Sequence, residues 1–234
     1  MKALLADLDD TILDYSGGAA ASWEEACAGL SGPAGIDPAP LVAAVVATRR
    51  WFWADPERHR RERVDMVGAW RKIAAHALES LGLPAHPLAA SIAEDFAARR
   101  RAALRLLPGA LEALDELRQR GVPLALVTNG DASQQREKIE RFDLARFFRV
   151  IVIEGEFGKG KPDEVVYRHA LAALGVPGRD SWMVGDNLEW DVAAPQRLGL
   201  RAAWVDGAGH GLPAGSAVRP DRVLRAFREV VEGG

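Results

Sequence analysis

The chain has 234 residues, 48% hydrophobic and 27% charged, with a formal net charge of -3. That suits a soluble globular protein of one large or two modest domains, and it carries no basic footprint for a nucleic-acid polymer. One cysteine, Cys27, excludes an internal disulfide and points to a reducing, cytoplasmic setting. No stretch approaches the roughly 20 apolar residues that span a bilayer.

The chain opens on Met1 to Ala6, a short apolar run that reads as a buried strand. It ends in Asp7-Leu8-Asp9-Asp10-Thr11. Strand alternation puts Asp7 and Asp9 on one face, where two carboxylates repel unless a cation or a shared proton compensates. Asp10 falls on the other face and reads as structural. From Asp14 to about Ala103 no strand is evident. The stretch is rich in Ala and Arg and reads as four or so helices, separated near Gly32-Pro33, Asp37-Pro38, Asp55-Pro56 and Pro84 to Pro87. We expect an all-helical insertion over 14–103 and a core over 1–13 and 104–234. Cys27 reads as a small buried hydrophobe. The runs Arg58 to Arg63 and Arg99-Arg100-Arg101 read as solvated basic helix faces.

Four more buried strands follow, at Val122 to Val127, Val150 to Ile153, Ser181 to Val184 and Arg201 to Val205. Helices are expected over Gly109 to Arg120, Ser133 to Phe142, Asp163 to Leu174, Leu188 to Leu198, and from about Asp221 to Val231. Alternating strands and helices predict an α/β fold with a parallel sheet.

Polar clusters follow four of the strands. They are Asp7 to Thr11, Thr128-Asn129-Gly130, Gly158 to Asp163 containing Lys161, and Gly185-Asp186-Asn187 with Asp191 beyond. Ligands of open α/β sheets bind outside the carboxyl ends of the strands, so the clusters are expected to converge. Asp7, Asp9 and Asp186 offer hard oxygen ligands that suit Mg²⁺. Thr128 offers a hydroxyl, and Asn129 and Gly130 offer backbone N–H groups at a helix start, a cradle for an anion. Lys161 adds a positive charge to neutralise a phosphoryl group. Together they describe phosphoryl transfer. Lys159 reads as solvated, Asn187 as a helix cap, and Glu154 and Glu156 as solvated loop carboxylates. The five histidines are scattered, with no zinc spacing.

In this order the four clusters resemble the motifs of the haloacid dehalogenase superfamily. Asp7 to Thr11 match D-x-D-x-T, Thr128 matches the second motif, Lys161-Pro162 the third, and Gly185-Asp186 with Asp191 the fourth. The resemblance implies a Rossmann-like parallel sheet in strand order 3-2-1-4-5, and makes the helical stretch a cap that closes over the site. It implies Asp7 as nucleophile, forming an aspartyl-phosphate, and Asp9 as acid and then base. Mg²⁺ would be held by the Asp7 carboxylate, the Asp9 backbone carbonyl and Asp186, with Asp191 in support. Thr128 and Asn129 would hold the phosphoryl group. Asp9 favours a phosphate ester over a halide, because an alkoxide leaving group needs a proton. The expected partner is a small phosphorylated metabolite: phosphoglycolate, a nucleotide, or a sugar or sugar-acid phosphate. The alternatives are a phosphomutase, which keeps both aspartates, and a phospho-accepting receiver-like module. No oligomeric state follows from the sequence.

Overall fold

A computed structural model of the chain describes residues 1–232. It divides into two compact units, one holding 1–14 and the chain from Arg105 onward, the other Tyr15–Leu104. In the first unit β1 (Ala3–Ala6), with all four side chains buried, is the central strand. It lies between β4 (Leu124–Thr128) and β6 (Ser181–Gly185), and β5 (Val150–Ile153) and β7 (Arg201–Val205) follow outward. All these pairings are parallel, with Leu5 opposite both Ala125 and Met183. Counting the five expected strands along the chain, their order across the sheet is 3-2-1-4-5.

The expected helix over Asp221 to Val231 is corrected. Arg222–Leu224 form β8, a sixth parallel strand on the edge beside β7, and Phe227–Val231 form a short 3-10 turn. The apolar spacing of Leu224, Phe227 and Val230 is three residues. That spacing fits a 3-10 turn as well as an α-helix. Asp221 holds the edge in register: its backbone N–H donates to Ala202 O, and its carboxylate accepts the Ala202 N–H, both at 2.8 Å.

Helices α6 (Ala110–Gln119), α7 (Ala132–Arg141) and α9 (Glu164–Leu174) cross between strands, and a short helix α8 (Glu154–Phe157) follows β5. After β6 the expected helix splits into a π-helical turn, Leu188–Ala193, and α10 (Ala194–Arg197). Pro195 has no N–H to close the π-turn on Trp190, and the Trp190 carbonyl accepts the Tyr167 hydroxyl instead. The inward layer packs Leu5, Val127, Val152, Tyr167 and Met183.

A two-stranded antiparallel ribbon, β2 (Leu13–Asp14) and β3 (Arg105–Leu106), brackets the second unit in sequence. That unit holds α1 (Ala19–Ser31), α2 (Pro38–Ala54), α3 (Pro56–Glu62), α4 (Met66–Ser80) and α5 (Leu88–Ala103). Asp37, Asp55 and Asp65 cap α2, α3 and α4 by accepting backbone N–H groups at 3.1, 2.6 and 3.0 Å. Such caps are worth about 1 kcal/mol each. Its core stacks Trp23 on Phe96 at 4.0 Å, with Trp70 edge-on to Phe96 at 5.0 Å. Cys27 is buried in that core, and burial pushes its thiol up to about 11. The basic run at Arg58 departs from a solvated face. Arg58 stacks on Trp51 at 4.0 Å and donates to the Trp51 and Phe52 carbonyls at 2.6 Å, closing the end of α2.

Leu5 is fully buried between sheet and helices. Leu5→Ala is expected to lower unfolding free energy by about 2–5 kcal/mol in a chemical denaturation series.

Candidate active site

β1 ends at Ala6, one residue before the first aspartate, but the Asp7 N–H still donates to Val184 O at 2.9 Å. The ladder therefore aims the Asp7 side chain as the next strand residue. The chain then turns: Ile12 and Leu13 N–H return to Leu8 O at 2.9 and 3.0 Å, and Asp10 sits at φ 58°. Aspartate tolerates that left-handed conformation better than most residues.

Lys161 is the centre of the site. Its ammonium is 1% exposed and donates to Asp7 Oδ1 at 2.7 Å and to Asp191 Oδ1 at 2.6 Å. Its backbone is clamped by Asn129, which accepts the Lys161 N–H at 2.7 Å and donates to the Lys161 carbonyl at 2.8 Å. Thr11 Oγ1 donates to Asp7 Oδ2 at 3.2 Å, and Asn187 N–H to Asp191 Oδ2 at 3.0 Å. Asn187 Oδ1 also accepts the N–H groups of Glu189 and Trp190, at 3.1 and 3.0 Å. Gly185 permits this approach, since a Cβ there would stand 2.3 Å from the Asp191 carboxylate. Lys159 is exposed, 4.0 Å from Asp163.

Asp7, Asp186 and Asp191 place carboxylate oxygens within 4.8 Å of one another. Three carboxylates and one ammonium leave two excess negative charges when all are ionised. Burial pushes Asp7 up to about 7, against the pull of Lys161 and with the repulsion of Asp191 and Asp9 added. Asp186 is also pushed upward, by desolvation first and then by Asp7, Asp191 and Asp10. Its residue surface is open to solvent, so water screens part of that repulsion. Lys161 is held protonated. Burial opposes its charge, and the Asp191 and Asp7 carboxylates outweigh burial. A divalent cation with a preference for hard oxygen ligands would cancel the excess charge, so these residues fit Mg²⁺.

Asp9 lies in a different environment. Lys138 Nζ donates to both its carboxylate oxygens, at 2.9 and 2.8 Å, and Gln135 Nε2 donates to Asp9 Oδ2 at 3.1 Å. Gln135 Nε2 also reaches Thr128 Oγ1 at 2.6 Å, and Lys138 donates to Gln135 Oε1 at 2.6 Å. Sequence reasoning missed both residues. The available signal was their place on α7: Gln135 precedes buried Ile139 by one turn, and Lys138 follows Gln135 by three residues. The Asp9 carboxylate thus stands outside the three-aspartate group.

The cradle expected at Gly130 is corrected. The Gly130 N–H donates to Glu154 Oε2 at 3.0 Å, so it is already engaged. Glu154, expected in solvent, is 7% exposed. Gly160 makes room for it, since a Cβ there would fall 2.4 Å from Glu154 Cδ. Glu156 pairs with Arg136 at 2.5 and 2.6 Å, which holds its carboxyl below the usual range.

The Asp7 shift has a sign that a melting experiment reads. In metal-free protein Asp7 titrates near 7 when folded and near 3.8 when unfolded, so its contribution to stability falls as pH rises between those values. A cation that neutralises the ionised cluster reverses that loss. The rise in melting temperature on adding Mg²⁺ to metal-free protein is expected to be larger at about pH 8 than at about pH 6.

The haloacid dehalogenase-like hydrolase family profile matches residues 1–199. A phosphoserine phosphatase from Thermus thermophilus is 36% identical, with 98% of each chain covered. An N-acylneuraminate-9-phosphatase from Rattus norvegicus is 39% identical over 50% of this chain and 47% of its own. Among solved structures, the hydrolase YfnB of Bacillus subtilis, bound to magnesium, superposes with a TM-score of 0.72 at 21% identity, covering 98% of this chain and 96% of its own. No described helix is long and apolar enough to cross a membrane. The profile match and the full-length relative agree with the four polar clusters at the strand ends: the chain belongs to the haloacid dehalogenase-like hydrolases.

Proposed function

We propose that the chain hydrolyses a small phosphomonoester through an aspartyl-phosphate on Asp7. The observation that carries this reading is the contrast between two aspartates two residues apart. Asp7 is buried on the Lys161 ammonium, while Asp9 is held by Lys138 and Gln135. Asp7 belongs to the carboxylate group that a divalent cation would neutralise, which favours its ionised, nucleophilic form, and Asp9 lies outside that group, where it is assigned the proton. The full-length relative named for phosphoserine and the half-length relative named for N-acylneuraminate 9-phosphate support a phosphomonoester.

In the first step a carboxylate oxygen of Asp7 attacks phosphorus. The bond from phosphorus to the ester oxygen breaks, and the departing alkoxide takes a proton from Asp9. In the second step Asp9 removes a proton from water, and the water oxygen attacks phosphorus. The bond to Asp7 breaks, releasing phosphate and restoring the carboxylate. Lys161 orients Asp7 and offsets charge gathering beside it. Thr128 and the backbone of Asn129 are assigned to the phosphoryl oxygens. Asp7, Asp186 and the Asp9 carbonyl are assigned to Mg²⁺, with Asp191 holding Lys161. Mg²⁺, when bound, would neutralise phosphoryl charge and fix the phosphate against Asp7. The helical unit Tyr15–Leu104 is assigned the part of the family's substrate-selecting cap.

Phosphate release from an aryl phosphate is expected in the presence of Mg²⁺ and is expected to vanish in Asp7→Asn. Full activity in that variant rejects the reading. Lys138 is a positioning residue, because it acts through Asp9. Lys138→Met is expected to lower kcat/KM for an alkyl phosphate about 100-fold, and for a nitrophenyl phosphate by less than about 5-fold. A nitrophenolate leaves without needing a proton, so equal losses on both esters would assign Lys138 a merely structural part.

A further inference from the structure

The peptide that joins Asp186 to Asn187 is held from both ends. Its carbonyl accepts the Trp204 indole Nε1–H at 2.7 Å, and its N–H donates to Asp191 Oδ2 at 3.0 Å. Trp204 pairs with Gly185 across β6 and β7, one position before Asp186, and its residue surface is 8% exposed. Val192 of the π-helical turn shares its apolar cluster, and Leu188, Leu212 and Val218 pack against that cluster. The ring is therefore wedged between the turn that carries Asp191 and the chain that follows β7. An indole N–H can only donate, and the Asp186 carbonyl is its acceptor. The other Asp191 oxygen accepts from Lys161 Nζ, which also reaches Asp7. The clamped peptide thus closes a chain of contacts that runs from Trp204 to Asp7.

A peptide is planar and stiff, so anchoring both its oxygen and its N–H fixes how it is turned. Asp186 has reason to move. Its carboxylate oxygens lie within 4.8 Å of those of Asp7 and Asp191, and like charges drive it toward the solvent to which the residue is open. Side-chain rotation can relieve that repulsion, but turning the clamped peptide cannot. We infer that Trp204 is a positioning residue for Asp186. Its indole N–H keeps the Asp186 carboxylate beside Asp7 before a cation arrives, so a divalent cation meets its ligands already gathered. Ligands held in place bind more tightly because binding need not order them, and the partners that hold them contribute about 10- to 100-fold in affinity. A phenyl ring at 204 would serve the packing without supplying that donor. The inference rests on the assignment of Asp186 to Mg²⁺ above.

The test uses the full chain as wild type, Trp204→Phe and Leu212→Ala. Mg²⁺ is titrated calorimetrically into metal-free protein, and phosphate release from an aryl phosphate is followed at rising Mg²⁺. Trp204→Phe is expected to weaken Mg²⁺ binding about 10-fold, and raising Mg²⁺ is expected to return its kcat to within about 3-fold of wild type. Leu212→Ala loosens the same cluster but keeps the indole N–H. It is expected to lower the melting temperature and to change Mg²⁺ affinity by less than about 3-fold. Coupling between two equilibria is reciprocal, so a hydrogen bond that strengthens Mg²⁺ binding about 10-fold is itself strengthened about 10-fold by bound Mg²⁺. Solvent exchange of the Trp204 indole N–H, followed by NMR in the wild type, is therefore expected to slow about 10-fold at saturating Mg²⁺. That measurement decides the matter if Trp204→Phe fails to fold. Mg²⁺ affinity in Trp204→Phe within about 3-fold of wild type overturns the inference. So do equal losses in Trp204→Phe and Leu212→Ala, or indole exchange that Mg²⁺ leaves unchanged. Absence of Mg²⁺ binding in the wild type rejects the assignment of Asp186 to the cation and this inference with it. Mg²⁺ binding without aryl phosphatase activity rejects the phosphomonoester reading and leaves the calorimetric and exchange arms to decide this one.

Discussion

One ammonium buried between two carboxylates governs the core of this protein. Lys161 cannot be withdrawn without leaving Asp7 and Asp191 as unpaired charges in a dry interior. The surrounding sequence serves that placement. The register of β1 against β6 brings Asp7 beside the strand that leads to Asp186. Asn129, at the end of β4, fixes the Lys161 backbone from both sides. Gly160 and Gly185 leave the space that Glu154 and Asp191 occupy. The excess negative charge that remains is what a divalent cation would neutralise.

The second aspartate shows how neighbours in sequence acquire separate chemistry. A turn of four residues follows Asp9, and helix α7 presents Lys138 and Gln135 to it. Gln135 joins Asp9 to Thr128, so the proposed proton carrier and the residue proposed to hold the phosphoryl oxygens share one support. A substitution on α7 therefore acts on both groups at once. Its effect should not add to that of a change at Thr128.

The strands were legible because a buried parallel strand is a short, nearly continuous apolar run, and Val150 to Ile153 or Arg201 to Val205 have few other readings. Asp-Pro pairs at Asp37 and Asp55 marked helix starts for the same local reason: both residues act within one turn. β8 was missed because three residues on a sheet edge carry too little pattern to outvote the spacing that continues through Phe227. The four polar clusters stood out because carboxylates and a lysine at the ends of apolar runs are costly without a purpose. Lys138, Gln135 and Glu154 carry no such signal in the sequence. A polar residue on a helix looks solvated until the fold shows what it faces.

The two-residue ribbon of β2 and β3 has a further consequence. Asp14 lies opposite Arg105, so the ninety or so residues between them begin and end at neighbouring points of the first unit. The entropy of closing such an excursion grows only with the logarithm of its length, by about 0.6 kcal/mol per doubling. Insertions of very different size can therefore be carried at this position with little change in the stability of the sheet. The sheet and its polar clusters thus set little limit on the length of the segment that leaves at Asp14 and returns at Arg105.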